Sequence, residues 1–502
     1  MNGWLAGYVL ASSCALVLAI IALTHGAFVY SLDDPYIHLA LSRMIAQGGY
    51  GINTGMPASP SSSILWPVML APFADTALGE IVPLLINVAC AMGTALVLAA
   101  GLRRLLPPLI ATVTAGIAVS LLNVIGVAFT GMEHSLQVLL AALATQAVLV
   151  IKDTRIAPTW LPAVMVVGPL VRYELLALTA AIAIVLVRIH RWRLALLTCA
   201  LAIIPVAAFS SFLMGLGLDP VPSSILVKSD LTGADSLTQA GAVLVNRLHA
   251  AAVNPVFMAA LAVTVIDVFR IRRVDLVQGY VLTVLALHAV AGQFGWWGRY
   301  EVYLAVAVVV PVLSFVWAWS TTQTWRVIRI AALAVLMLAP WKLFATTVAT
   351  PLAAREISLQ QAQTARLVSD YWRAPIAVND LGLVAYRGGQ VTVDLWGLGD
   401  GEARVMRLER EPGWMQELVD QRQVRLVAVY PAWFQDDIPA SWTEVARLQT
   451  PGLVAVAGSV VSYYAVSPAD VDGACTAIDE WQASLPAPDS VTTTCPAASI
   501  TS

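Results

Sequence analysis

The first 350 residues consist mostly of apolar runs about twenty residues long, with the charges standing between the runs rather than within them. Uninterrupted runs fall at about 4–30, 80–101, 108–130, 134–151, 194–215, 251–269, 277–295, 299–320 and 327–348. A hydrocarbon layer about 30 Å thick is crossed by roughly 20 apolar residues in a helix, so each run predicts a membrane span. The stretch 159–187 is interrupted at Gly168, Pro169, Arg172 and Glu174, which predicts two short helices dipping to a polar vertex. Counting that pair, the expectation is a polytopic α-helical membrane protein with about eleven transmembrane helices. The run 4–30 is too long for the apolar core of a signal peptide and lacks a small-residue cleavage pattern, so it reads as a retained first span.

The charges divide the chain. Residues 1–350 hold 18 Lys and Arg against 13 Asp and Glu, and residues 351–502 hold 10 against 18. The charge density more than doubles past residue 350, which predicts a membrane domain over 1–350 and a water-soluble domain over 351–502. Only 12% of the whole chain is charged, which excludes a secreted globular enzyme, a nucleic-acid binder and a disordered protein. In the tail, strand patterns at Ile376–Val378, Gln390–Leu395, Val424–Val429 and Leu453–Val466 alternate with helical patterns near 366–373 and 402–420. That alternation predicts a small C-terminal soluble α/β domain. Cys475 and Cys495 both lie in it, and a disulfide between them would imply an oxidising compartment.

Orientation follows from the basic residues of the short loops. Arg103 and Arg104, Lys152 and Arg155, Arg188, Arg191 and Arg193, Arg270, Arg272 and Arg273, and Arg326 and Arg329 fall on alternate loops, hence on one side, the cytoplasmic one. The tail and the polar segments 31–78, 131–134, 168–174, 216–250 and 296–301 then face outward, which predicts a multi-pass protein of a bacterial inner membrane with its tail periplasmic.

The outer segments concentrate chemistry. Asp33-Asp34-Pro35-Tyr36-Ile37-His38 follows the first span directly, and Asp-Pro before an amphipathic pattern predicts a helix start with Asp34 as its cap. Asp33 is then either a second cap or a carboxylate kept at the membrane boundary for function. Ser61-Ser62-Ser63 leads to Trp66-Pro67 in the same loop. Gly131-Met132-Glu133-His134 opens a span, Arg172-Tyr173-Glu174 forms the vertex, Pro222-Ser223-Ser224 precedes Lys228, and Trp296-Trp297-Gly298-Arg299-Tyr300 joins two spans. Caps, an internal ion pair and aromatic-belt anchors are the structural readings of these segments. Five of them on one face also make a candidate site.

These residues resemble the GT-C superfamily of polyprenyl-phosphate-sugar-dependent glycosyltransferases, closest to bacterial arabinofuranosyltransferases of the mycobacterial terminal β-arabinofuranosyltransferase type. The blocks that carry the resemblance are Asp33-Asp34, Leu65-Trp66-Pro67, Thr130 to His134, Arg172 to Leu176, Pro222 to Lys228, Gly298-Arg299-Tyr300, Asn379 to Gly382, and Asp394 to Leu398. The resemblance implies a GT-C fold with its site between membrane domain and tail, and an acidic residue of the first external loop, 31–78, as catalytic base.

The residues permit the same chemistry independently. A carboxylate beside an acceptor hydroxyl removes its proton as the anomeric carbon is attacked, a role that fits Asp33 first and Asp34 second. Cations hold the leaving phosphate, with Lys228, Arg299 and Arg172 as candidates. Glu133, Glu174, His38, His134 and Tyr300 are candidates for sugar or acceptor hydroxyls, and Tyr36, Trp66 and Trp296 for stacking on sugar faces. A divalent cation, Mg, Mn or Ca, held by Asp33 with Asp34 stays open. The expected partners are a polyprenyl-phosphate-linked sugar, favoured as arabinofuranose with a mannose-type hexose second, a cell-envelope glycan, lipid or protein acceptor, and the bilayer. A lipid-linked sugar flippase is the rival from another class, and it would place charges at the bilayer midplane.

Overall fold

The computed structural model describes residues 2–228, 237–319, 322–452, 454–485 and 490–495. Among them, six helical stretches are long and apolar enough to cross a membrane, or seven if the bent pair Thr238–Val253 and Pro255–Ile271 is one span. Four shorter apolar helices, Leu161–Val171, Leu175–Arg188, Leu276–Ala291 and Val302–Trp317, complete the bundle. The chain is a membrane protein with six or seven stretches that can cross by length and composition, and the expected eleven is reached only by adding the four shorter helices. The difference has a physical source. Those four have 11, 14, 16 and 16 residues, roughly 17 to 24 Å, so none crosses 30 Å alone.

Small residues hold the bundle together. Gly93 of Val82–Leu102 lies so close to His134–Thr154 that a Cβ there would meet the Leu139 side chain at 3.1 Å, and one on Gly101 would meet Gln146 at 3.3 Å. Between helices in lipid, such packing and interhelical hydrogen bonds replace the hydrophobic drive. Thr145 supplies one of the latter, donating to the Ala307 carbonyl at 2.8 Å.

Three local outcomes differ from the sequence reading. Asp33, not Asp34, is the residue preceding the helix Asp34–Ala46, and its side chain makes no cap bond there. The segment 216–250 is not a plain loop, because Leu237–Val253 is helical. That helix turns by 80° into Pro255–Ile271, where Asn254 is extended, caps the Phe257 N–H at 3.0 Å and is followed by proline. In the tail, strand Thr443–Gln449 and helix Val471–Gln482 arise where no element was expected.

Helix Trp341–Leu359 leads from the bundle into the tail. After a small hairpin of β1 (Gly51–Asn53) and β2 (Met56–Pro57) in the first loop, the remaining strands are β3 (Ile376–Val378), β4 (Thr392–Asp394), β5 (Leu426–Val429), β6 (Thr443–Gln449), β7 (Val460–Ala465) and β8 (Ser490–Thr493). They form one sheet ordered β4-β3-β5-β7-β6-β8, in which β3 runs parallel to β4 and β5 and the other pairs are antiparallel. Alternation along the strands feeds two cores. Ala377, Val427 and Val429 pack with Trp414 and Leu418 on one face. Ile376, Val378 and Ala428 pack on the other face with Ile478, and this core continues into Tyr30, Tyr36 and Trp66 of the first loop region. Cys475 and Cys495 form a disulfide.

Polar ties reinforce the seat of the tail on the first loop. Asn53 exchanges two hydrogen bonds with the Thr392 backbone at 2.9 and 3.0 Å, and Arg43 donates to the Tyr386 carbonyl at 2.9 Å. Arg387 pairs with Glu80 and Arg404 with Asp219. The sheet domain is thus fixed over the end of the bundle that carries Asp33 and Asp34.

Candidate functional site

Asp33 and Asp34 are adjacent but diverge. Asp33 turns to the tail, where its Oδ2 accepts the Gly382 N–H at 2.6 Å and its Oδ1 the Leu383 N–H at 2.8 Å. Asp34 turns to the bundle and pairs with Arg299 at 3.2 and 3.3 Å. A third carboxylate, Asp380, stands beside them on the tail, its Oδ2 accepting from Gln361 Nε2 at 2.7 Å and from the Tyr430 hydroxyl at 2.5 Å. Burial and the charge of Asp380 push the Asp33 carboxyl up to about 8, against the two backbone donors that lower it. Burial also raises the Asp380 carboxyl, with the charge of Asp34 adding to it.

Below Asp34 lies a layer of buried charge. Arg299 is 2% exposed, and its guanidinium also donates to the Tyr300 hydroxyl at 3.1 Å. The Tyr300 ring has a guanidinium on either side, Arg299 at 5.1 Å and Arg172 at 5.7 Å from its centroid. Arg172 in turn holds Glu174 through two hydrogen bonds at 2.5 and 3.0 Å and Glu133 at 2.9 Å. It donates to Ser62 Oγ at 2.8 Å as well. Glu133 is fully buried, and its other oxygen lies 3.5 Å from His38 Nε2, whose Nδ1 is 3.0 Å from Ser61 Oγ. His134, also buried, has both ring nitrogens without a hydrogen-bond partner.

Two turns set this geometry. Gly131 has φ +66°, and a Cβ there would meet Pro35 at 2.7 Å and Tyr30 at 2.8 Å, so only glycine lets the 130–134 turn press against the Asp34 helix. Trp296, Trp297 and Gly298 are all left-handed, φ 41°, 67° and 64°. Two tryptophans in that region cost about 1–2 kcal/mol each. The strain is retained in the turn that presents Arg299, a pattern concentrated at functional sites.

A cleft of about 190 Å³ opens beside the layer, lined by Ser62, Arg172, Tyr173, Glu174, Ser224, Ile225, Arg247, Ala291, Gln293 and Tyr300. The Tyr173 hydroxyl and Ser224 Oγ are buried there without hydrogen-bond partners among the described residues. Ser224 belongs to the expected Pro222–Lys228 block, whereas Arg247 and Gln293 were missed as site residues. Arg247 stands on the helix Leu237–Val253, and its only sequence signal is one cation in an apolar stretch otherwise read as loop.

The structure thus brings together Asp34, Arg299, Tyr300, Arg172, Glu133, Glu174, His38 and His134, with Asp33 at the seam to the tail. Other expected residues lie elsewhere. Trp66 is fully buried and donates its Nε1–H to the Gly131 carbonyl at 3.3 Å, so it supports the turn and offers no face to a sugar. Tyr36 is equally buried, packed against Tyr30 and Tyr386 under the tail. Trp296 is 51% exposed and does not line the cleft. Lys228 closes the short helix Ser223–Lys228, and its side chain lies outside the described residues. Among the described residues, no three His, Cys, Asp or Glu side chains are placed to hold a metal ion. Asp33 and Asp34 in particular face different partners, so the shared cation site does not fit.

In comparison with known proteins, residues 353–466 match the family model of a domain of unknown function, DUF8728. No curated protein matches the chain. Among solved structures, an oligosaccharyltransferase of Archaeoglobus fulgidus tethered to an acceptor peptide is 10% identical, with TM-score 0.49 over 96% of this chain and 75% of that one. The archaeal oligosaccharyltransferase AglB of the same organism, in complex with an inhibitory peptide and a dolichol-phosphate, is 12% identical, with TM-score 0.48 over 92% and 74%. Likeness this distant transfers no function.

Proposed function

We propose that this protein is a membrane glycosyltransferase that moves a sugar, favoured as arabinofuranose, from a polyprenyl phosphate to a cell-envelope acceptor. The observation that carries the reading is the Asp34–Arg299 pair beside a polar cleft, at the end of an apolar bundle and under a fixed soluble domain. A lipid-linked donor needs that combination, because its chain stays in the bilayer while its sugar reacts at the boundary. The basic loops on the opposite side and the Cys475–Cys495 disulfide support an extracytoplasmic, periplasmic placement of this end.

In the reaction, an acceptor hydroxyl oxygen bonds to the anomeric carbon while the bond from that carbon to the phosphate oxygen breaks. The leaving phosphate takes the electron pair, and a carboxylate takes the hydroxyl proton. Asp34 suits the base role better than Asp33, whose carboxyl is raised to about 8 and so already carries a proton near neutral pH. Arg299 turns Asp34 and adds positive charge where the phosphate gains negative charge. Arg172 is already matched by two glutamates and serves as the structural centre of the layer. Arg247, on the cleft wall, is the cation placed for the phosphate. Gathering of the polar groups at one end of the bundle, away from the midplane, favours transfer over transport.

The test is transfer of radiolabelled sugar by the purified protein from polyprenyl-phosphate arabinofuranose and mannose, with Asp34→Asn as control. Transfer from one donor, lost in the variant, is expected. Movement of lipid across the bilayer with no transfer from any donor would overturn the reading.

A further inference from the structure

A second cleft lies at the other end of the bundle. Its volume is about 690 Å³ and its walls include Ile156, His190, Arg191, Trp192, Arg193 and Leu197. Helix His134–Thr154 has the charge layer at its first residue and this cleft just past its last. The two are therefore separated by 21 residues, about 30 Å, so this cleft is no part of the site described above.

The cleft is cationic and amphiphilic together. Among the described residues no carboxylate lines it, and the nearest in sequence, Asp153, is paired with Arg104. Two helix ends that lead into it close on left-handed Arg155 and His190, φ 59° and 61°, where glycine is the usual residue. Trp192 is exposed, with the Arg193 guanidinium 5.3 Å from its ring centroid. From the cleft, helix Trp192–Gly215 runs into the bilayer and exposes Leu197, Leu201 and Ile204, a stripe at i, i+4 and i+7. A phosphate at Arg191 and Arg193 would therefore have its acyl chain along that stripe. Free phosphate would leave the apolar half of the cleft unused.

We propose that this cleft binds the headgroup of an anionic phospholipid, with the acyl chains lying along Leu197, Leu201 and Ile204. Basic pockets between spans at a membrane surface recognise such headgroups by charge. The bound lipid covers a helix that the bundle leaves largely open on its outer side, only 17% of its span being buried.

The test is native mass spectrometry of the full chain with added phosphatidylglycerol, phosphatidylcholine or inorganic phosphate. Phosphatidylglycerol should be retained roughly ten-fold better than phosphatidylcholine, and Arg191→Gln with Arg193→Gln should erase the difference. Arg326→Gln with Arg329→Gln, on another basic segment, should leave it intact. A Tm raised by phosphatidylglycerol and not by phosphatidylcholine supports the site without any variant. Equal retention of the two lipids, equal loss in both double variants, or displacement of the lipid by millimolar phosphate would each overturn it.

Discussion

Asp33 and Gly382 lie 349 residues apart and are joined by a hydrogen bond of 2.6 Å, from the Gly382 N–H to the Asp33 carboxylate. The contact is so close that a Cβ on Gly382 would sit 2.1 Å from the Asp33 carbonyl oxygen and 2.7 Å from its Oδ2. Both groups are backbone or short side chain, so neither can swing aside. Gly382→Ala should therefore lift the tail from the first loop, costing about 1–3 kcal/mol as an overpacked contact does. A lowered Tm with loss of transfer is expected, and an unchanged Tm would show that the seam is loose.

The two neighbouring aspartates should separate by size of defect. Asp33→Asn puts a neutral amide where the fold holds a protonated carboxyl below about 8, so the expected result near neutral pH is a Tm within a few degrees of wild type and transfer within about ten-fold. Asp34→Asn removes the base while the amide still bonds Arg299. It should lower kcat by about 10²–10⁴ and leave donor binding nearly unchanged. The reverse pattern, with chemistry lost in the Asp33 variant at full stability, would move the base to Asp33.

Asp33 also gives stability a pH dependence. Its carboxyl rises from an ordinary 3.8 to about 8 in the folded protein, so the native state holds a proton that the unfolded state has released. The stabilisation from that proton is complete below about 4 and is lost as pH rises through about 8. Asp380 shifts in the same direction. Melting temperature should fall between pH 6 and pH 8.5, and the slope should be shallower in Asp33→Asn. A profile identical in wild type and variant would assign the dependence to other groups.

Legibility in the sequence followed the range of the interactions. The paired short helices around Arg172 and Glu174, the helix after Asp34-Pro35 and the strand Ile376–Val378 rest on local patterns, and the structure contains them. The bond from Asp33 to Gly382 spans most of the chain, and no local pattern encodes it. Trp66 and Trp296 look alike as boundary tryptophans, yet one is the buried brace of a turn and the other is exposed, because the partner that covers Trp66 comes from the 130–134 turn. Arg247 escaped because Asn254-Pro255 ends one helix and starts another, and the apolar stretch before it was absorbed into a loop.

Arg172 and Arg247 share the cleft and should fail differently. Removing Arg172 leaves the buried Glu133 and the partly buried Glu174 without their cation, and breaking a buried pair costs about 3–5 kcal/mol. Arg172→Gln should therefore lower Tm steeply and abolish transfer through instability. Arg247 is half-buried on the cleft wall and donates to the Val290 carbonyl at 3.1 Å, a neutral acceptor. Arg247→Gln should keep the wild-type Tm within a few degrees and raise the KM for the polyprenyl-phosphate donor roughly ten-fold or more, the worth of a hydrogen bond to a charged group. Arg247→Lys should recover part of that loss, because a point charge still attracts phosphate. An Arg247→Gln enzyme with unchanged donor KM would place the phosphate elsewhere in the cleft.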